Sequence, residues 1–106
     1  MGKLVESPTS VGNGLLVMEK DLTWKMLFLR WPATIPKVGI VVTSLNEPIA
    51  FSNFQIAEQM VLLERDRPDT SGARSIIVPW HEISIVKLTS PIDPAQFKDM
   101  GFKPVS

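Results

Sequence analysis

The residues whose side chains could take part in catalysis lie around the only histidine, His81, which is followed by Glu82 and Ser84. A Ser-His-carboxylate site needs a serine on a sharp turn, and no serine of this chain lies in the Gly-x-Ser-x-Gly pattern that makes one. One histidine and no cysteine also exclude a two-histidine metal site, a thiolate zinc site and a thiol nucleophile. We therefore interpret His81 as a polar residue at a corner between strands. The sequence predicts no enzyme activity, no metal and no cofactor.

Two other groups of residues invite a functional interpretation. The glycines of Gly12-Asn13-Gly14 could begin a phosphate-binding loop, but a third glycine and a following Lys-Ser/Thr are missing, so this segment is interpreted as a turn. Asp66 and Asp69 could form a carboxylate pair. Because Arg65 and Arg67 alternate with them, a solvated surface loop is the better interpretation.

Aromatic side chains offer a different chemistry, because any nucleic-acid base can stack on a ring, at about 1–3 kcal/mol per base. Rings more often fill a hydrophobic core. Trp80 stands between a proline and a charged dipeptide, where an exposed ring at a corner is plausible, so base stacking is kept as its alternative role. The other rings are assigned to the core or to an interface: Trp24, Trp31, Phe51 and Phe54.

Length and charge describe one ordinary domain of 106 residues, with 11 Lys and Arg against 11 Asp and Glu. Zero formal net charge argues against a protein that grips duplex DNA through many phosphate contacts. The start of the chain lacks a signal-peptide pattern, and no segment approaches the roughly 18 apolar residues of a membrane helix. We expect a soluble, cytoplasmic protein with no membrane partner. Residues 1–20 are expected to be a partly flexible extension.

Nine prolines divide the chain into short pieces, which favours strands and turns over long helices. Polar turn residues from Asp66 to Gly72 predict a hairpin loop, and Asn46-Glu47-Pro48 predicts a second turn. Asp93-Pro94 and Gly101 bracket a short helix over 93–100. The predicted strands are Val38–Thr43, Ile49–Phe54, Met60–Glu64, Ile76–Val78 and Ile83–Leu88.

Two segments are ambiguous. Residues 23–31 are apolar on both faces and Asp21 could cap a helix there, but the abundance of aromatics favours a strand. Residues 53–64 form an alternative helix by propensity and spacing. The many short strands still predict an all-β fold, a small barrel or sandwich.

Residues 54–88 resemble the second half of the Sm-like (LSm, Hfq-related) domain, a family of small β-barrel ring proteins. The segment from Phe54 to Leu62 is similar to the end of the family's first motif, with Gln55 at the motif's Asp and Gln59 at its Asn. His81-Glu82-Ile83-Ser84 resembles the His-Ala-Ile-Ser of the second motif, and a strand precedes it. The divergence from the family pattern is similar to that of phage or metagenomic members.

The resemblance implies a strongly bent five-stranded barrel over residues 38–88, with short helical additions. It also implies a cyclic homo-oligomer that binds single-stranded RNA at the pore of a ring, without catalysis. The RNA contacts implied are Gln55, Gln59, Trp80 and His81, with Arg74 near the pore-side loop as a phosphate partner.

Two alternatives remain beside this interpretation. In a second register Gly39 is the bend glycine, Lys25–Trp31 is the first strand, and residues 45–58 are an inserted loop. In a second function the same barrel is a structural or adaptor module, for example phage-related, that assembles with proteins and binds no RNA. The replaced Asp and Asn of the first motif, and the Arg of the second motif replaced across Pro79-Trp80, favour this second function.

Overall fold

The regular structure is mostly β in the computed structural model, which describes residues 22–105. One α-helix among these residues, α1, covers 22–29, and two 3₁₀ helices follow later, η1 over Trp80–Glu82 and η2 over Pro94–Met100. The six strands are β1 Gly39–Thr43, β2 Pro48–Phe51, β3 Asn53–Ile56, β4 Met60–Glu64, β5 Ser75–Pro79 and β6 Ile83–Leu88. The predicted β-rich fold with short helical additions is confirmed. The predicted extension over residues 1–20 lies outside the described residues.

The strands form two antiparallel sheets of three strands each. Sheet A has the order β2-β1-β6, and sheet B has the order β3-β4-β5. The chain first crosses from sheet A to sheet B at Ser52, whose N–H donates to the carbonyl of Glu64 (2.7 Å). It crosses back through η1, between β5 and β6. The strand predicted over Ile49–Phe54 is therefore interrupted by one residue, and six strands are present where five were predicted.

The helix α1 occupies residues that were predicted to be a strand, and that prediction was wrong. Trp24, Leu27, Phe28 and Trp31 are spaced i, i+3, i+4 and i+7, and all four pack in or against the core. The opposite face of this segment carries exposed apolar side chains, Leu22, Met26 and Leu29. Apolar residues therefore lie on both faces of the segment, and they obscure its helical period.

The hairpin of β3 and β4 shows that the alternative helix over 53–64 was also wrong. The pairing runs from Asn53 opposite Glu64 to Ile56 opposite Val61. Alternate residues of this hairpin, such as Phe54, Val61 and Leu63, point into the core, which is the period of a strand. The second register of the Sm-like resemblance was wrong as well. Its first strand falls on residues 25–29, which are helical, and its inserted loop over residues 45–58 contains β2 and β3.

Aromatic rings fill the space between α1 and the two sheets. The Phe28 ring lies 4.8 Å from that of Phe54 and 5.6 Å from that of Trp80, measured between centroids. Trp31 lies 5.2 Å from Phe54 in an edge-on arrangement, and its indole N–H donates to the carbonyl of Ile35 (3.2 Å). Edge-to-face pairs of this kind add about 0.5–1.5 kcal/mol each beyond burial. The core roles predicted for Trp31, Phe51 and Phe54 are confirmed.

The C-terminal helix η2 confirms the helix predicted over 93–100. The side chain of Asp93 accepts from the N–H of Ala95 (3.0 Å), and Gln96 completes the capping box. Gly101 ends the helix at φ 97°, a left-handed conformation that favours glycine. Phe97 is buried and anchors η2 to the core. No helix among residues 22–105 is long and apolar enough to cross a membrane.

Gly39, the first residue of β1, has no room for a side chain. A Cβ atom at this position would lie 2.6 Å from the carbonyl oxygen of Lys87 and 3.0 Å from Cζ of Phe51. The first neighbour is backbone of β6, paired with β1. Neither neighbour can move without disturbing the sheet or the core.

Gly39→Ala is therefore expected to lower the free energy of unfolding by about 1–3 kcal/mol, the usual cost of overpacking. Chemical denaturation at one fixed protein concentration measures the change. Ile40→Val, the next residue of β1, is the control and is expected to lose about 1 kcal/mol or less. A gain of stability in Gly39→Ala, the ordinary result of removing a strand glycine, would contradict the close packing.

Candidate functional site

Three turns meet at one end of the molecule, which we call the turn end: residues 44–47, 57–59 and 80–82. Strand pairing brings them together, since Thr43 pairs with Ile83 and Met60 pairs with Pro79. The N–H of Ser44 donates to the carbonyl of Glu82 (2.8 Å), and the N–H of Trp80 donates to that of Gln59 (3.1 Å). The segment Trp80–Glu82 therefore holds both other turns in place.

Trp80 is buried at this end, and the alternative of an exposed ring that stacks on bases is wrong. Its side chain is 0% exposed and packs against the ring of Phe28. The indole N–H donates to the carbonyl of Ala57 (3.2 Å), so the polar atom of the ring is satisfied inside the chain. No face of the Trp80 ring is open to a base, and its position is structural.

His81 lies at the strand corner where it was expected, with about half of its side chain exposed (51%). Its Nε2 atom is 3.5 Å from a carboxylate oxygen of Glu82. The other oxygen of that carboxylate accepts from the hydroxyl of Ser44 (2.6 Å). Ser44 thus donates to Glu82 and not to the imidazole, so these three residues are not ordered as a nucleophile, a base and an orienting acid.

The two glutamines implied by the resemblance differ in their surroundings. Gln59 is exposed in the turn between β3 and β4, and its backbone carbonyl accepts a hydrogen bond from Trp80. Gln55 is exposed on the outer face of sheet B, and its amide donates to the carboxylate of Glu64 (2.8 Å). Gln59 and His81 therefore share the turn end, whereas Gln55 is tied to a neighbouring strand.

The turn end carries more negative than positive charge. Its three turns contain Glu47, Glu58 and Glu82, and all three side chains are at least partly exposed. Lys25 of α1 brings a positive charge to this end, and its Nζ lies 2.9 Å from a carboxylate oxygen of Glu58. Sequence reasoning missed these carboxylates, although the predicted hairpins would have placed their turns together. Such a surface repels phosphate groups.

Arg74 lies at the other end of sheet B from His81, and its expected place beside a pore-side loop stays a prediction. It directly precedes β5, whereas His81 follows the far end of that strand, and five extended residues span about 17 Å. Arg74 belongs to the loop between β4 and β5, residues 65–74, which we call the arginine loop. Its carbonyl accepts from the N–H of Arg65 (2.9 Å), which closes the loop.

The arginine loop is organised around the carboxylate of Asp69. One carboxylate oxygen accepts from the N–H of Ser71 (2.9 Å), the hydroxyl of Ser71 (2.7 Å) and the N–H of Ala73 (2.8 Å). The hydroxyl of Ser71, then the N–H of Ala73 and more weakly the charge of Arg65, hold the pKa of Asp69 below its ordinary value of 3.8. The loop is thus fixed by its own hydrogen bonds.

Among residues 22–105, no three His, Cys, Asp or Glu side chains are grouped so that they could hold a metal ion.

The pKa of Asp69 provides a direct test of this loop. A carboxylate whose pKa is lowered by folding adds stability above its unfolded pKa, and this contribution is lost as pH falls through the folded pKa. Carboxyl-detected NMR titration should place the pKa of Asp69 below 3.8. Ser71→Ala should raise it towards 3.8, and Ser90→Ala, outside the loop, should leave it unchanged. An unshifted pKa in the unmodified chain would contradict the loop geometry.

Comparison with known proteins gives no match for this chain among family models, curated proteins or solved structures. The features of the molecule that bear on its function are the turn end, the arginine loop and the edges of the two sheets.

Proposed function

We propose that this chain is a non-enzymatic Sm-like module that assembles into a cyclic homo-oligomer and binds single-stranded RNA. In this scheme β2 and β3, one residue apart, count as a single bent strand, which gives a five-stranded barrel. The observation that carries the proposal is that β5 and β6, the edge strands opposite the β2-β3 junction, are different strands and are each open on one side.

Each sheet has two edge strands, β2 and β6 in sheet A and β3 and β5 in sheet B. Because β2 and β3 adjoin at Ser52, the edges opposite this junction belong to β5 and β6. Within residues 22–105, β5 pairs only with β4, and β6 pairs only with β1. An open edge presents unpaired N–H and C=O groups that favour pairing with another chain. When the two edges differ, β5 of one copy meets β6 of the next, and such a head-to-tail contact forms a ring if its rotation closes.

The hydrogen bonds of β5 show which backbone groups are free. The N–H of Arg65 donates to Arg74 and the N–H of Trp80 donates to Gln59, and these bonds flank the β4-β5 ladder in the same register. Hydrogen-bonded pairs alternate along an antiparallel ladder. Residues 76 and 78 therefore bond to β4, and the N–H of Ile77 points to the open edge.

Apolar side chains accompany the open edges. Ile77 on β5 is 60% exposed and Ile85 on β6 is 49% exposed. On the inner side of β6, Val86 and Leu88 line an apolar depression of about 370 Å³ beside α1 and η2. An apolar strand from a second copy would bury these surfaces, which supports association through the edges.

Ile77→Pro tests this assembly, because it removes the N–H at the open edge and leaves the bonds of β5 to β4 in place. We expect the unmodified chain to form one closed oligomer that survives dilution, and Ile77→Pro to be a folded monomer. Native mass spectrometry and light scattering measure the mass, and circular dichroism checks the fold.

Ile77→Val is the matched control, since it keeps the N–H and the branched side chain, and it should retain the oligomer. A clean monomer of the unmodified chain, or an unchanged oligomer in a folded Ile77→Pro variant, would reject assembly through β5.

The RNA part of the proposal rests on the turn end. Gln59 and His81 are both exposed there, and their side chains can donate to and accept from base edges. In a ring the turn ends of several copies would repeat around one axis. The buried Trp80 positions both residues and makes no base contact of its own.

A second candidate function is the structural or adaptor module, which assembles with proteins and binds no RNA. The observation that favours it is the charge of the turn end, where Glu47, Glu58 and Glu82 face solvent with Lys25 as a counter-charge. Exposed carboxylates repel the phosphate backbone of RNA and attract a basic protein surface.

Fluorescence anisotropy with A-rich and U-rich RNA separates the two functions. Saturable, salt-sensitive binding supports the RNA function, and the Gln59→Ala, His81→Ala double variant should then bind about tenfold more weakly, because each hydrogen bond removed is worth about 0.5–1.5 kcal/mol. Thr89→Ala, an exposed residue after β6, is the control and should bind normally. An intact oligomer that binds neither RNA at low salt would favour the second function.

A further inference from the structure

We propose that the arginine loop is a phosphate-binding site, in which Arg67 and Arg74 hold the backbone of single-stranded RNA. The inference rests on the proposed RNA function and places the phosphate contacts at the opposite end of sheet B from Gln59 and His81. A guanidinium group suits this role because its donors match two oxygens of one phosphate.

The guanidinium groups of Arg67 and Arg74 are free to receive a ligand. Both residues are exposed, and neither side chain makes a hydrogen bond or ion pair with any residue that the structure describes. The neighbouring Arg65 is different, since its Nη1 donates to the carbonyl of Ala50 (2.8 Å) and its Nε donates to that of Arg67 (3.1 Å). Arg65 braces the loop against β2, and the other two arginines project from it.

The loop is ordered before any ligand binds. The three hydrogen bonds to one oxygen of Asp69, together with the Arg65–Arg74 backbone bond, fix the segment between the two free arginines. Asp69 is thereby turned towards its own backbone. A preorganised loop loses less conformational entropy on binding than a mobile one, so more of the interaction energy appears as affinity.

Space for a ligand exists beside Arg67. An open depression of about 300 Å³ lies between the arginine loop and the end of β2, and its lining includes Ser52, Arg65 and Arg67. This volume is at the lower end of the range for small-molecule sites, about 300–1,000 Å³. Asp66 also lines the depression. Because its carboxylate repels a phosphate group, the phosphate is expected on the Arg67 side.

The charges at the two ends of the molecule also favour phosphate binding at the arginine loop. The arginine loop contains three arginines and two aspartates, whereas the turn end contains three glutamates, one of them paired with Lys25. A polyanion is therefore attracted to the loop and repelled by the turns. RNA bases that reach the turn end need phosphate contacts elsewhere on the chain, and the arginine loop supplies them.

Salt-dependent anisotropy with labelled U-rich and A-rich RNA tests this site in the full chain. Arg67→Gln with Arg74→Gln should weaken binding at least about tenfold at low salt. The slope of log affinity against log salt should become shallower by about 0.7 for each phosphate group that the variant no longer neutralises. The matched control removes the same charge from exposed lysines elsewhere, Lys98→Gln with Lys103→Gln, and should change affinity by less than about twofold.

Arg67→Lys with Arg74→Lys keeps both charges and should retain the salt slope of the unmodified chain. Native mass spectrometry and circular dichroism establish that each variant keeps its fold and oligomer. Equal affinity and slope in the glutamine variant and the unmodified chain would overturn this inference and leave the proposed RNA function standing. An unmodified chain that binds no RNA at all would overturn both.

Discussion

The buried side chain of Trp80 is the contact on which the rest of this structure depends. Its ring packs against Phe28 of α1, its indole N–H donates to Ala57, and its backbone N–H donates to Gln59. Because Trp80 lies in η1, one side chain fixes the crossing from sheet B to sheet A and holds the β3-β4 turn against it. A loss of about 3–5 kcal/mol is typical when such a residue is truncated, a large share of the stability of a small domain. The exposure of His81 at the corner is a consequence of this burial, since the neighbouring ring points inward.

The strands could be predicted because their apolar runs end at prolines and polar turns. The predicted limits of Met60–Glu64 and Ile83–Leu88 agree with β4 and β6. The helix could have been found from the spacing of Trp24, Leu27, Phe28 and Trp31, but exposed apolar residues on its other face concealed it. The interruption at Ser52 has no local signal, since it follows from the packing of two sheets. Of the candidate site, the sequence placed His81 at a corner correctly, and it kept an exposed ring as an alternative for Trp80 because burial at a corner is set by long-range pairing.

A formal net charge of zero conceals a marked separation of charge. Strand pairing gathers glutamates from three distant turns at one end of the molecule and leaves the arginines of one continuous loop at the other. Composition excludes a protein covered with basic residues, but it says nothing about such polarity. This separation is why the two functions considered for the chain make different demands on the same fold. The acidic turn end suits a basic protein surface, whereas the arginine loop suits an anionic ligand.

The strand edges connect these local features to the size of the domain. A chain of 106 residues buries a modest fraction of its surface, so contacts with other copies are a natural source of further stability. Soluble proteins usually protect an open edge with proline, with charge or with a covering loop. Here Pro79 removes an N–H at one end of β5 and Lys87 lies towards one end of β6, but Ile77 and Ile85 keep the middle of each edge apolar and half-exposed. In an isolated chain, an edge that is protected at its end and open at its centre leaves apolar surface and unpaired backbone groups exposed, which promotes aggregation. The pattern is easier to explain if a second strand covers the centre of each edge, and two unlike edges on one chain satisfy that need when copies join head to tail.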